Sequence, residues 1–176
     1  VNLFDKSYLD PNFALTMIGN SSAMCGNGFL TVGSTNLYTT NTSDYEFYLL
    51  RTDSNGDSLW AKHWGSGMND LFFILPDNYS QYFVAGKIDS SGHRKDFIWK
   101  TDSLGDTLWT KFIGNNLTIN SMLLTNSGGF ELIGDSLDSM AGFTDVWISF
   151  YDSLGNPLIN PSTGFINNSV TNDFTI

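Results

Sequence analysis

The chain has 176 residues, 41% of them hydrophobic and 15% aromatic, ample material for one domain with a sizeable core. Its 18 acids against 8 bases give a formal charge of −10, which argues against nucleic acid and anionic membrane surfaces as partners, because both call for clustered Lys and Arg. No run of about 18 apolar residues is present, so no membrane-inserted helix is expected, and with Cys25 as the sole cysteine no intrachain disulfide can form.

Taken in order, the chain opens with Val1–Tyr8, which reads as a closing strand without the strands that should precede it. Helical spacing of apolar residues is nowhere sustained over three turns. Short β-type runs bounded by Gly, Asn, Asp or Ser take its place. The first group is Ala14–Ile18, Phe29–Val32, Glu46–Arg51 and Ser58–Trp64. The second is Leu71–Leu75, Gln81–Ala85, Asp96–Thr101 and Thr107–Ile113. The third is Asn120–Leu124, Phe130–Ile133, Val146–Tyr151 and a weaker Pro157–Ile159. Val170–Ile176 then falls where a further first strand would begin.

One segment sets the period. Asp53-Ser54-Asn55-Gly56-Asp57-Ser58-Leu59-Trp60 returns as Asp102-Ser103-Leu104-Gly105-Asp106-Thr107-Leu108-Trp109, and again as Asp152-Ser153-Leu154-Gly155-Asn156-Pro157-Leu158-Ile159. Asp53 to Asp102 is 49 residues and Asp102 to Asp152 is 50, and a second glycine follows each aspartate at +12 (Gly65, Gly114, Gly164). The segment lies between the third and fourth runs, where the chain must reverse. Asp can bond backbone N–H groups two residues on, and Gly56, Gly105 and Gly155 supply a positive φ, so they are the expected structural turn residues. The outgoing run places Trp109, Lys111 and Ile113 on one face and Leu108, Thr110 and Phe112 on the other, so both faces are expected to be packed.

A period near 50 residues holding four antiparallel strands matches a β-propeller blade. The expected fold is therefore all-β and of β-propeller type. A single repeat domain spans 1–176, either complete or an arc of a larger one, with blades at roughly 12–65, 66–114 and 115–164 and partial strands at 1–8 and 170–176.

The stretch Asp96-Phe97-Ile98-Trp99-Lys100-Thr101-Asp102, continuing through Gly105 and Trp109 to Gly114, resembles a bacterial β-propeller repeat family whose blades read acid-aromatic-x-x-Lys-x-Asp-x-x-Gly-x-x-x-Trp and close on glycine. The third copy departs from it at Ile159 and Pro161, and the second is one residue short before Asp102. Asn168–Ile176 is similar to the segment that leads into the sorting domain of type IX secretion cargo in Bacteroidota. Together the resemblances imply a secreted or cell-surface protein, with secretion machinery among its partners. The six Asp-Ser/Thr-Leu/Met sites resemble the O-glycosylation sequence of exported Bacteroidota proteins, which makes Ser58, Ser103, Thr107, Ser136, Ser139 and Ser153 candidate acceptors, against the alternative that Asp-Ser-Leu is turn chemistry copied by duplication. The sequons at Asn20, Asn41, Asn78, Asn116 and Asn167 carry no weight in an Asn-rich chain.

The inventory for chemistry is thin. Asp53-Ser54-Asn55-Gly56-Asp57 resembles the opening of a calcium loop, but Leu104 and Leu154 replace the middle ligand in the sister copies and no bidentate Glu follows. A sialidase-type turn would set Asp two before Gly rather than three, and only Arg51 and Arg94 exist to hold a carboxylate. His63 and His93 have no evident partner, Cys25 reads as a buried thiol, and Asp70 beside Asp102 is the sort of pair that could do acid–base work but is better explained by turns. No catalytic residue, metal ligand or cofactor is assigned. The expected function is a binding, adhesion or cargo-scaffold module for an unknown protein or glycan, recognised through the connections Ser34–Asp44, Lys87–Lys95 and Asp135–Thr144. Two alternatives stay open: a fragment of a propeller enzyme with its site elsewhere, and a structural subunit assembling through open sheet edges.

Overall fold

A computed structural model describes residues 17–36, 44–65, 70–77, 79–90, 93–114, 117–137 and 144–158. They form eleven strands and their turns, with no helix. β1 (Met17–Cys25), β2 (Gly28–Thr35), β3 (Glu46–Thr52) and β4 (Ser58–Trp64) make one antiparallel meander. β5 (Asp70–Pro76), β6 (Tyr82–Ser90), β7 (His93–Thr101) and β8 (Thr107–Gly114) make a second, and β9 (Leu117–Leu124), β10 (Phe130–Leu137) and β11 (Thr144–Tyr151) a third. The expected fourth strand of that last sheet begins as a bridge between Tyr151 and Pro157, with Leu158 N–H donating to the Phe150 carbonyl at 2.8 Å. Ile159 and the expected end strands at 1–8 and 170–176 lie outside the described residues.

The three repeated segments fold as one turn made three times. Asp53, Asp102 and Asp152 each accept two backbone N–H groups on Oδ1, from the residues at +2 and +4, at 2.8–2.9 Å. The glycine at +3 has φ of 77°, 76° and 74° in turn, the left-handed region where a Cβ is penalised. The same turn recurs between the first and second strands of the second sheet, where Asp77 accepts N–H from Tyr79 and Gln81 and Ser80 occupies the left-handed position at φ 58°. Thr125 heads a related turn between β9 and β10, with Gly128 at φ 82°.

The sheets stack face to face. Leu30, Val32, Phe47 and Leu49 of the first meet Leu71, Ile74, Val84, Phe97 and Trp99 of the second in one buried cluster. The other face of the second sheet, through Phe83, Ala85 and Ile98, meets Ile119, Met122, Phe130, Leu132 and Trp147 of the third. The first strands lead each contact: β5 lies against β1 and β2, and β9 against β5. Asn20 Nδ2 donates to the Leu71 carbonyl at 2.6 Å, and Tyr82 Oη donates to the Met24 carbonyl at 3.1 Å, tying β1 to the second sheet.

The repeat residues also interlock between sheets. A Cβ on Gly105 would stand 3.0 Å from Trp60 Cη2, and one on Gly155 would stand 2.8 Å from Trp109 Cη2. Lys62 Nζ reaches Asp106 Oδ1 at 2.8 Å and Lys111 Nζ reaches Asn156 Oδ1 at 2.7 Å. The Trp at +7 and the Lys at +9 of one copy thus grip the Gly at +3 and the residue at +4 of the next.

Three expectations are corrected. The first strand of the first sheet is Met17–Cys25 and overlaps the expected Ala14–Ile18 only at its start, because pairing with β2 holds a Gly-Asn-Ser-Ser segment extended through a bulge at Asn20. The fourth strands are packed on one face rather than two: Leu59 (58% exposed) has no sheet against it among the described residues, and Phe112 (63%) stands on the side of the first sheet but borders open space at the margin of the stack. Trp60, Trp99 and Trp109 each sit in a strand flanked by apolar neighbours, which leads one to expect all three largely buried; Trp99 is, but Trp60 and Trp109 are half-buried, lying over the neighbouring turn glycines at the margin of the stack.

Candidate functional site

Between the first two sheets, at their outer strands, an apolar cleft of about 200 Å³ remains. Its walls are Phe47 and Trp64 from the first sheet and Ile88, Phe97, Trp99 and Phe112 from the second, with Thr107 and Thr110 as its hydroxyls. Strand alternation builds it. Phe97 pairs with Phe112 across β7 and β8, Trp99 pairs with Thr110, and Phe47 pairs with Trp64 across β3 and β4, so each pair stands on one face. The rings meet edge to face: Trp64 and Trp99 at 4.9 Å between centroids and 83°, Phe47 and Phe97 at 5.3 Å and 64°. Trp99 Nε1 donates to Thr107 Oγ1 at 2.9 Å, which satisfies the indole inside an otherwise apolar wall.

The end of the cleft nearest the β2–β3 and β6–β7 connections carries Lys95. It continues the β7 row Lys95, Phe97, Trp99, its Cα partner is the cleft residue Ile88, and its ammonium lies 5.8 Å from the centroid of Phe112. The equivalent gap between the second and third sheets has a different lining, because Asp96, Ile113 and Ser149 stand where the first interface has Phe47, Trp64 and Trp99.

Other charged groups serve the scaffold. Lys100 Nζ pairs with Asp77 Oδ2 at 3.0 Å, both side chains almost fully buried, sits 4.6 Å from the Phe83 ring centroid, and donates to the Ser153 carbonyl of the third sheet at 3.3 Å. Burial pushes the Asp77 carboxyl up, but the N–H groups of Tyr79 and Gln81 with the Lys100 ammonium outweigh it and hold the pKa below the ordinary aspartate value. Asp152 is likewise lowered: desolvation pushes its carboxyl up, but the backbone N–H and side-chain amide of Asn156, the N–H of Leu154 and the Lys111 ammonium together outweigh it. Burial raises the phenols of Tyr82 and Tyr151.

The residues singled out in the sequence distribute as follows. Gly56, Gly105 and Gly155 occupy the three turns. The Asp53 carboxylate is turned onto its own backbone, to the N–H groups of Asn55 and Asp57. Asp70 and Asp102 are not brought together: Asp70 is the register partner of Lys87 in the second half of β6, while Asp102 follows the Thr101 that pairs with Tyr82 at its start, five residues and roughly 16 Å away at ~3.3 Å per residue. His63 has a partner after all, Glu46, whose Oε2 lies 2.6 Å from Nδ1. The His93 side chain lies outside the described residues. Cys25 is a buried free thiol. Of the candidate glycosylation acceptors, Ser58 is exposed, and Ser103, Ser136 and Ser153 are half-buried. Thr107 is exposed with its hydroxyl accepting from Trp99, and Ser139 lies outside the described residues. The proposed recognition connections leave from the end opposite the Asp turns, and 37–43, 91–92 and 138–143 within them are likewise outside.

Among the described residues no group of three or more His, Cys, Asp and Glu is placed to hold a metal ion, and no helix is long and apolar enough to cross a membrane. No protein-family model matches the chain, and no curated protein matches it.

Proposed function

We propose that this chain is an arc of a β-propeller-type repeat, secreted or displayed at a bacterial cell surface, that acts as a binding, adhesion or cargo-scaffold module rather than as a catalyst. The observation that carries the reading is the division of labour within each repeat. The recurring Asp, Gly, Trp and Lys are spent on the turn and on the neighbouring sheet, as Trp109 against Gly155 and Lys111 on Asn156 show. The connections at the opposite end vary, from the two residues 91–92 between β6 and β7 to the ten of 36–45 between β2 and β3. A constant scaffold with variable connections is the usual design of a recognition surface. Ile88 and Phe112 carry the lining of the aromatic cleft toward that end.

Stacking led by the first strands supports the propeller architecture, since radial blades are closest at their inner strands. The export address rests on the resemblances of the repeat and of Asn168–Ile176.

The test is a hydrolase substrate panel run beside a glycan array on the native protein. Binding that is lost when Ser34–Asp44, Lys87–Lys95 or Asp135–Thr144 is exchanged, with no turnover, supports the reading. Turnover abolished by a single substitution at Asp70, His63 or His93 overturns it in favour of an enzyme.

A further inference from the structure

We infer that the cleft between the first two sheets binds a small amphiphilic carboxylate, its aromatic or aliphatic body lying among Trp64, Trp99 and Phe112 and its carboxylate resting on Lys95. The inference depends on the reading of the chain as a binding module and gives that module's cleft a ligand class.

Shape and lining set the apolar half. A volume of about 200 Å³ exceeds the roughly 150 Å³ of an apolar cavity known to take up benzene, so a single ring or a short branched alkyl group fits. Inside, rings dominate, and of the two indoles Trp99 has its N–H already given to Thr107. A polar body such as a sugar would leave its hydroxyls facing rings at a cost that the two threonines cannot offset.

Lys95 sets the other half. Lys62, Lys87 and Lys100 are each paired, with Asp106, Asp96 and Asp77. Lys95 instead stands over the Phe112 ring and, among the described residues, has no carboxylate partner. In a chain of charge −10, such a cation at the end of an aromatic row is a local exception to the prevailing field. One ammonium balances one carboxylate, whereas a phosphate dianion would bring surplus negative charge to an already acidic protein. Two acids beside the lining do not compete: Asp96 and Glu46 precede the cleft residues Phe97 and Phe47 on their strands and so face away from the cleft, and they are engaged by Lys87 and His63.

The experiment compares 3-phenylpropionate with the isosteric 3-phenylpropan-1-ol, followed by the indole N–H resonances of the native protein. The acid should bind about tenfold more tightly, as one charge-assisted hydrogen bond allows. Lys95→Met, which keeps the aliphatic stem, should erase that preference while leaving the alcohol unaffected. Phe112→Ser, at an exposed ring, should weaken both ligands. Equal affinity of acid and alcohol, or a preference that survives Lys95→Met, overturns the carboxylate assignment and leaves an apolar binding cleft standing. If neither ligand moves the Trp64 and Trp99 signals, the cleft itself is not a site.

Discussion

Trp109 of the second sheet lies against Gly155 of the third, so closely that a methyl group on the glycine would stand 2.8 Å from the indole Cη2. Gly155 therefore answers to two constraints at once: its own φ of 74° and the space claimed by a residue 46 positions earlier. Gly155→Ala should cost about 1–3 kcal/mol in backbone strain alone, with a further penalty for displacing the indole. Trp109→Ala should relieve that further part, giving a coupling of about 0.5–3 kcal/mol in a double-mutant cycle by urea denaturation. Strictly additive effects would show that the two residues do not share the site.

The buried pair of Lys100 and Asp77 gives the protein an acid-sensitive strut. Because the folded-state pKa of Asp77 is depressed, its contribution is present above the unfolded aspartate value near 4 and is lost as pH falls through the lower folded value. Asp77→Asn should lower stability at neutral pH and flatten the pH dependence below about pH 4. Lys100→Met, which strands the carboxylate, should cost about 3–5 kcal/mol. Melts recorded between pH 2 and 7 check both, and an unchanged acid limb in Asp77→Asn would remove Asp77 from the account.

The tryptophans should separate by position. Trp99 is 3% exposed and edge-packed on Trp64, so Trp99→Ala should cost ~3–5 kcal/mol. Trp60→Ala, at a half-buried residue, should cost less. Acrylamide quenching of single-tryptophan variants should reach Trp60 and Trp109 more readily than Trp99. Equal quenching of all three would contradict the packing.

Much of this architecture is legible in the sequence because it is repeated. The Asp-x-x-Gly segments locate three turns, and alternating apolar runs locate most strands. Less legible is whatever depends on a neighbour. β1 has poor strand-forming residues in Gly19, Asn20, Ser21 and Ser22, and is held extended by β2 and by the Asn20 bond to Leu71. Gly33, Gly86 and Gly134 recur in the second strand of each sheet opposite a first-strand bulge, where a Cβ would meet the carbonyls of Ile18, Asp70 and Thr118. Their spacings of 53 and 48 residues carry the period, but with an irregularity that hides them. The cleft is in view only as separate pieces: Phe47, Trp64 and Phe97 look like ordinary strand alternation and Lys95 like the end of a connection until the stacking sets Phe97 and Trp99 across from Phe47 and Trp64. His63 and Glu46 are 17 positions apart, and only the β3–β4 register brings them together.

Ser80 offers the sharpest test of the shared turn. The Asp77 turn lacks the glycine that marks the other three, and so escapes a search for Asp-x-x-Gly. It nevertheless makes the same bonds: Asp77 Oδ1 accepts from Tyr79 and Gln81 at 2.7 and 2.9 Å, and Asp77 N–H donates to the Gln81 carbonyl at 2.7 Å. Ser80 is thereby held at φ 58°, a conformation that costs an L-residue roughly 1–2 kcal/mol. Glycine would remove that cost, while its larger unfolded-state entropy would return about 0.5–1 kcal/mol. Ser80→Gly should therefore stabilise the protein by up to about 1 kcal/mol, and Ser80→Val, whose branched side chain tolerates the left-handed region worst, should destabilise it by at least as much. Urea midpoints at neutral pH read both changes. A destabilised Ser80→Gly would mean that the serine hydroxyl holds the turn in a way its backbone geometry does not require.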